Sequence, residues 1–115
     1  MLTFKEMKQE NEAIGHHWFS TASMRMFRTR LIGSPIRIGL SETHLFVTSD
    51  QDSLGMAWQG ERRYSVRCYS RGVVTTIGDF GAYGTKEAAQ QAIDDVLRRA
   101  YEEGIASWEV ESWIL

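Results

Sequence analysis

RRYSVRCYSRGVVTTIGDF, residues 62–80, is the stretch whose reading decides the fold. In its first half Tyr64, Val66 and Cys68 alternate with Ser65, Arg67 and Tyr69. That period of two marks a strand, because successive side chains leave opposite faces of a sheet. Arg71-Gly72 supplies turn chemistry, and VVTTIGDF (73–80) resumes the extended pattern. The spacing predicts an antiparallel hairpin.

Upstream, Ile36, Ile38 and Leu40 alternate with Arg37 and Gly39, SETH (41–44) turns, and HLFVTS (44–49) extends again. These segments predict a second hairpin. DQDSLGMAWQGE (50–61) carries turn residues around Met56 and Trp58 and reads as a long loop. Downstream lies the clearest helix, Lys86 to Glu103. Ala89, Ala92, Ile93, Val96, Leu97, Ala100 and Tyr101 fall on one face, with Thr85 as cap and Gly104 as stop. At the N-terminus Thr3 and Glu6 form a capping box for a helix from about Phe4 to Ile14, ended by Gly15 and expected on the outside of the fold. Ser20 is a second N-cap, for a short helix from Thr21 to about Arg28. SWEVESWIL (107–115) closes the chain as a final strand or an extended tail. The order predicts one α+β domain over residues 1–115: a mainly antiparallel sheet of about four to five strands, two N-terminal helices, and the long helix packed on the sheet.

The bulk properties narrow the function classes. At 115 residues, 43% apolar and 24% charged, the chain has the size and balance of a single packed domain. Its net charge of −2 is unevenly spread. Residues 20–78 hold eight arginines against four acids, whereas residues 79–115 hold three bases against eight acids. Such a dipolar surface steers a specific partner better than it attracts DNA generally. A lone cysteine excludes an internal disulfide and fits a reducing compartment. The charged start predicts no signal peptide, and no apolar run is long enough to span a bilayer. The expectation is a soluble cytoplasmic protein without membrane partners.

Catalytic and cofactor motifs fail on spacing. Gly78, Gly81 and Gly84 stand between a strand and a helix, where phosphates are often held. The order Gly84-Thr85-Lys86 is not that of a P-loop, however, and GxGxxG is absent. These glycines read as turn and bulge positions. Asp79-Phe80-Gly81 matches the kinase triplet by letters only. His16, His17, His44 and Cys68 have no metal-ligand spacing. Cys68 shares a strand face with Tyr64 and Val66, which predicts a buried, inert thiol. No pair of acids stands out for proton transfer. The expectation is no catalysis, no metal and no cofactor.

Arginine, tryptophan and tyrosine, which dominate binding surfaces, supply the candidate partner-binding residues: Arg25, Arg28, Arg37, Trp58, Arg62, Arg63, Arg67, Tyr69 and Trp113. Arg37, Arg67 and Tyr69 lie on predicted strands, and basic residues interleaved with aromatics on a sheet face suit single-stranded nucleic acid. About half of the guanidiniums are expected instead to pair with the acidic C-terminal helix. Trp18 is expected in the core, while Trp58, Trp108 and Trp113 are less easily buried in so small a domain.

FKEMKQENEAIGHHWFSTASMRMFRTRL, LFVTSDQ, RRYSVRCYS and TIGDFGAYGTKEAAQQA together resemble a family of small uncharacterised proteins encoded by bacteriophages and prophages. Trp18, Phe19, Ser20, Met24, Arg25, Phe27 and Arg30 carry the most specific part of the likeness, which spans roughly residues 4–92. LGMAWQG and SWEVESWIL have no counterpart in it. The resemblance implies phage origin and a host-cytoplasm setting, and it brings no activity of its own. Phage accessory proteins of this size are frequently inhibitors of host machinery, an argument from category. The expected function is therefore binding of a host protein or protein complex, as an inhibitor of a defence system of the anti-CRISPR or another anti-defence type. The alternative is a small RNA- or single-stranded-DNA-binding module on the arginine and aromatic sheet face.

Overall fold

The computed structural model describes residues 2–19, 26–39 and 41–102. Its elements are α1 (Phe4–Ala13), β1 (Arg30–Arg37), β2 (His44–Gln51), β3 (Arg62–Ser70), β4 (Val73–Ile77) and α2 (Lys86–Glu102). The four strands form one antiparallel sheet in the order β1-β2-β3-β4. The fold is α+β, as the strand alternation requires.

Register sorts the side chains onto two faces. Leu45 pairs with Cys68 and Val47 with Val66, and these four pack with Ala89 and Ile93 of α2. Cys68 is buried beside Val66 and Tyr64, as its strand position predicts. On the other face Phe46 and Tyr69 meet Met7 of α1, with Phe4, Trp18, Phe19 and Val74 around them. Strand β2 is consequently buried along nearly its whole length despite its polar residues.

Local chemistry sets the ends. Thr3 Oγ1 accepts from the Glu6 amide at 3.2 Å while Glu6 Oε1 accepts from the Thr3 amide at 3.1 Å. These bonds complete the capping box and hold the Glu6 carboxyl below its ordinary pKa. Thr85 Oγ1 accepts from the Ala88 amide at 3.1 Å and opens α2. Arg71 and Gly72 have φ of 49° and 86°, the left-handed pair of a two-residue hairpin turn whose twist matches its strands. A side chain at Gly72 would also meet Ile14 Cδ1 at 2.7 Å, because α1 lies across this turn. Asn11 Nδ2 donates to Gly72 O at 2.7 Å and fixes that docking.

Two strands depart from their sequence patterns. The first was expected over Ile36–Leu40 and instead spans Arg30–Arg37. Gly33-Ser34-Pro35 looks like a break, yet it forms an irregularity between Ile32 and Ile36 on an edge strand. There the missing proline N–H costs no ladder bond. Ile38 remains buried just beyond the strand. The second, expected over 73–80, ends at Ile77. Gly78 turns the chain with φ 70°, residues 78–82 arch away, and Tyr83 returns to pair with Tyr64. Of the expected short helix, only Met26 and Phe27 among the described residues are helical. The rest of it through Arg25, the C-terminal strand or tail, and Glu103 with Gly104 lie outside the described residues.

Candidate functional site

The sheet face that carries α1 has two ends. The apolar end lies beneath α1; the other holds Thr48 and Asp50 on β2 and Ser65 and Arg67 on β3, all brought to one face by the register. Asp50 is fully buried, and its Oδ1 accepts from Thr29 Oγ1 at 2.5 Å and its Oδ2 from Thr48 Oγ1 at 3.2 Å. Arg67 donates through Nε to Thr48 Oγ1 at 3.0 Å and through Nη1 to Thr76 Oγ1 at 2.6 Å. Its Nη2 stands 4.0 Å from Asp50 Oδ2, and only 14% of the side chain is exposed. The guanidinium carbon lies 5.5 Å from the Phe19 ring centre and 5.1 Å from that of Phe80, a cation over two aromatic faces. Burial pushes the Arg67 pKa below its ordinary value and the Asp50 charge opposes the shift.

The 78–82 arch closes this end. Ser65 Oγ accepts from the Gly81 amide at 2.7 Å, and Arg63 donates to the Gly81 carbonyl at 2.8 Å and to the Ala82 carbonyl at 3.0 Å. Trp58 presses on Gly81 so closely that a Cβ there would stand 2.2 Å from the indole. Its ring also packs on Phe27 and Phe80, at 6.1 and 5.3 Å between centres. Trp58 and Gln59 both have left-handed backbone, φ 54° and 53°, a region that ordinary residues occupy only when their surroundings enforce it. The aromatic cluster supplies that enforcement.

Next to the cluster, the loop after β2 presents apolar side chains to solvent. Leu54 is 71% exposed and Met56 83%, and Met26, which precedes β1, is 49% exposed. The loop backbone is nonetheless fixed. Asp52 accepts from the amides of Ala57, Leu54 and Met56 at 2.6, 2.9 and 3.0 Å, and the Ser53 amide donates to Met26 O at 2.7 Å. Those amide bonds hold the Asp52 carboxyl below its ordinary pKa.

The arginines divide by location. Arg28 and Arg30 are exposed. Arg62 donates to Ser49 Oγ at 2.8 Å and to Arg28 O at 3.3 Å, which gathers Arg28, Arg62 and the loop at one end of the sheet. Among the described residues no carboxylate lies within ion-pair distance of Arg28, Arg30, Arg62 or Arg63. Arg67 pairs with Asp50, Arg71 with Glu42, and Arg98 with Asp95 inside α2. The expected pairing of sheet arginines with the acidic C-terminal helix is therefore absent among the described residues; Arg67 shares a sheet face with Asp50 and reaches along it to that carboxylate instead.

Arg37 sits at the far end of the sheet, where its Nε donates to Gly39 O at 3.0 Å. There it lines an open groove of about 650 Å³ with Glu6, Glu10, Glu42, His44 and Arg71. Tyr69 is buried, its hydroxyl donating to Glu10, so α1 covers the face on which it was expected to stand free. Burial and that bond push the Tyr69 pKa up. Trp58 is half-buried as the anchor of the loop rather than a free contact. Arg25 and Trp113 lie outside the described residues. Among the described residues no group of three His, Cys, Asp or Glu side chains is placed to hold a metal ion, and no helix is long and apolar enough to cross a membrane.

Sequence reasoning missed Asp50, Asp52, Leu54, Met56 and Phe27. Only Asp52 left a local signal, since an aspartate two residues before an exposed loop amide is a common turn device. The others depend on strand register and on which loop lies beside which.

A family model described as a family of unknown function (DUF7447) matches residues 3–94, and the chain belongs to that family. No curated protein and no solved structure matches the chain.

Proposed function

We propose that this DUF7447 protein is a phage-encoded accessory protein that performs no catalysis. It acts in the host-cell cytoplasm by binding a host protein, as an inhibitor of a defence system of the anti-CRISPR or another anti-defence type. The observation that carries this reading is the exposed Leu54 and Met56 on a loop whose backbone is already fixed by Asp52, with exposed Met26 tied to that loop through the Ser53 amide. Exposed apolar side chains grouped on a rigid frame favour partner binding, because little ordering entropy is lost on contact. Methionine adapts to the shape it meets. Burying Leu54 and Met56 in an interface contributes about 1.5–3 kcal/mol each.

The nucleic-acid alternative uses Arg37, Arg62, Arg63, Arg67 and Tyr69; of these Tyr69 is packed under α1 and Arg67 is held between Phe19 and Phe80, so the aromatic part of that face is occupied.

The test is plating efficiency. A defence-sensitive phage is plated on a defence-proficient host expressing the wild type, Met56→Asp, or Asp95→Asn as a control on exposed α2. Restored plating with the wild type and the α2 control, lost with Met56→Asp at equal protein level, is the expected result. Unrestored plating across a panel of CRISPR and other defence systems would overturn the inhibitor reading. Full activity of Met56→Asp would overturn the surface.

A further inference from the structure

The basic rim of this surface specifies its partner further. Resting on the surface proposed above, we infer that it receives an acidic peptide segment carrying large apolar side chains.

The aspartates of β2 and its loop are engaged within the fold. Asp50 is buried and spent on Thr29, Thr48 and Arg67, and Asp52 is spent on three loop amides. Glu61 and Asp79 are exposed, and among the described residues no carboxylate lies within ion-pair distance of Arg28, Arg30, Arg62 or Arg63. Among the described residues this end of the molecule thus keeps guanidiniums that no carboxylate neutralises. Two of the four guanidiniums are already held in place by neutral acceptors, Arg62 on Ser49 Oγ and Arg28 O, and Arg63 on the arch carbonyls. Fixed arginines lose little entropy on meeting a carboxylate and can take it with two parallel bonds.

The neighbouring apolar groups decide between a peptide and a nucleic acid. Bases need flat aromatic faces to stack on. Here Phe27, Trp58 and Phe80 are turned onto one another. What reaches solvent most beside the arginines is Leu54 and Met56, 71% and 83% exposed against 37% for Phe80, whose ring is already engaged by Phe27, Trp58 and the Arg67 guanidinium. Leu54 and Met56 grip apolar side chains and offer no stacking plane. Charge complementarity then sets the sign of the peptide and the pace of its approach.

A bead-displayed library of random dodecapeptides, panned on the full chain, tests this. Enrichment of Asp and Glu together with Leu, Phe or Trp is expected. The selected peptides should bind about tenfold more weakly to Arg28→Glu and to Met56→Asp, with both variants melting at the wild-type temperature. Selection without acidic bias, binding unaltered by either variant, displacement of the peptides by a thymidine oligonucleotide, or no selection at all would each overturn the inference. The plating experiment is independent of it: loss of plating with Met56→Asp but no acidic selection retains the surface and removes the acidic partner.

Discussion

Replacing Asp50 with alanine tests the polar end of the sheet at its centre. The carboxylate faces the Arg67 guanidinium at 4.0 Å, and Thr48 relays between them. Unit charges at that separation attract by about 4 kcal/mol at an effective dielectric constant of about 20. Asp50→Ala leaves a cation under Phe19 and Phe80 without its counter-charge, and it strips the acceptor from Thr29 and Thr48. Loss of one member of a buried pair costs about 3–5 kcal/mol, a large share of the about 5–15 kcal/mol that holds a domain together. Arg67→Met should cost a similar amount, because it leaves the carboxylate uncompensated. The double variant should lose less than the sum by about 2 kcal/mol. Urea unfolding followed by tryptophan fluorescence reads this directly, since Trp58 packs on Phe80 beside Arg67. With a slope of about 2 kcal/mol per molar urea, the single variants should shift the midpoint by about 2 M. Should Asp50→Ala fail to fold, Asp50→Asn retains one acceptor and gives the cycle a milder arm. Strict additivity, or a single loss below about 1 kcal/mol, would refute the coupled network.

Further expectations concern other parts of the molecule. Gly81→Ala drives a methyl into the Trp58 indole at a left-handed backbone position and should cost about 2–4 kcal/mol in thermal melts. Gly78→Ala, with open space around it, should cost only the backbone strain. Burial holds the His44 pKa below its ordinary 6.5, against the opposing bond from its ring to the Glu42 carbonyl. The unfolded chain therefore takes up this proton first, and stability present above about pH 6.5 falls as the pH drops below it, by up to about 1.4 kcal/mol per pH unit. His44→Gln should flatten that part of the pH–stability curve, and an unchanged curve would remove His44 as its cause. Asp52→Ala frees three loop amides; it should raise hydrogen exchange at Leu54, Met56 and Ala57 and weaken peptide binding. Unaltered exchange would mean that Asp52 does not hold the loop.

What the sequence disclosed and what it withheld follow from the range of the forces involved. Capping at Thr3 and Thr85, the Arg71-Gly72 turn and the alternation along β3 are settled within a few residues, and each was legible. The burial of Cys68 followed from alternation alone. Strand β1 was misplaced because Gly33-Ser34-Pro35 breaks the pattern locally, while pairing with β2 carries the chain across the break. The arch at 78–82 was half legible: Gly78 and Gly81 read as turn or bulge positions and both have left-handed backbone. But Asp79 and Phe80 continue the extended pattern in letters, and it takes the pull of Ser65, Arg63 and Trp58 to lift them off the sheet. The site was less legible still. Asp50 and Arg67 lie 17 positions apart, and nothing local says that they share a face until the register of β2 on β3 is known. Tyr69 was read from its strand face correctly, but no local pattern announces that α1 returns to cover it.

The sheet order also bears on how the chain reaches this state. Because β1, β2, β3 and β4 pair in the order in which they are made, every ladder closes between neighbours along the chain, which keeps contact order low for a β-rich domain. The β2–β3 ladder is the longest, eight pairs from His44–Tyr69 to Gln51–Arg62, and it needs only the Asp52-bridged loop to close. That loop thus closes the longest ladder and also forms the rim of the proposed binding surface. Changes that tighten it for binding should therefore also quicken refolding, and changes that loosen it should slow both.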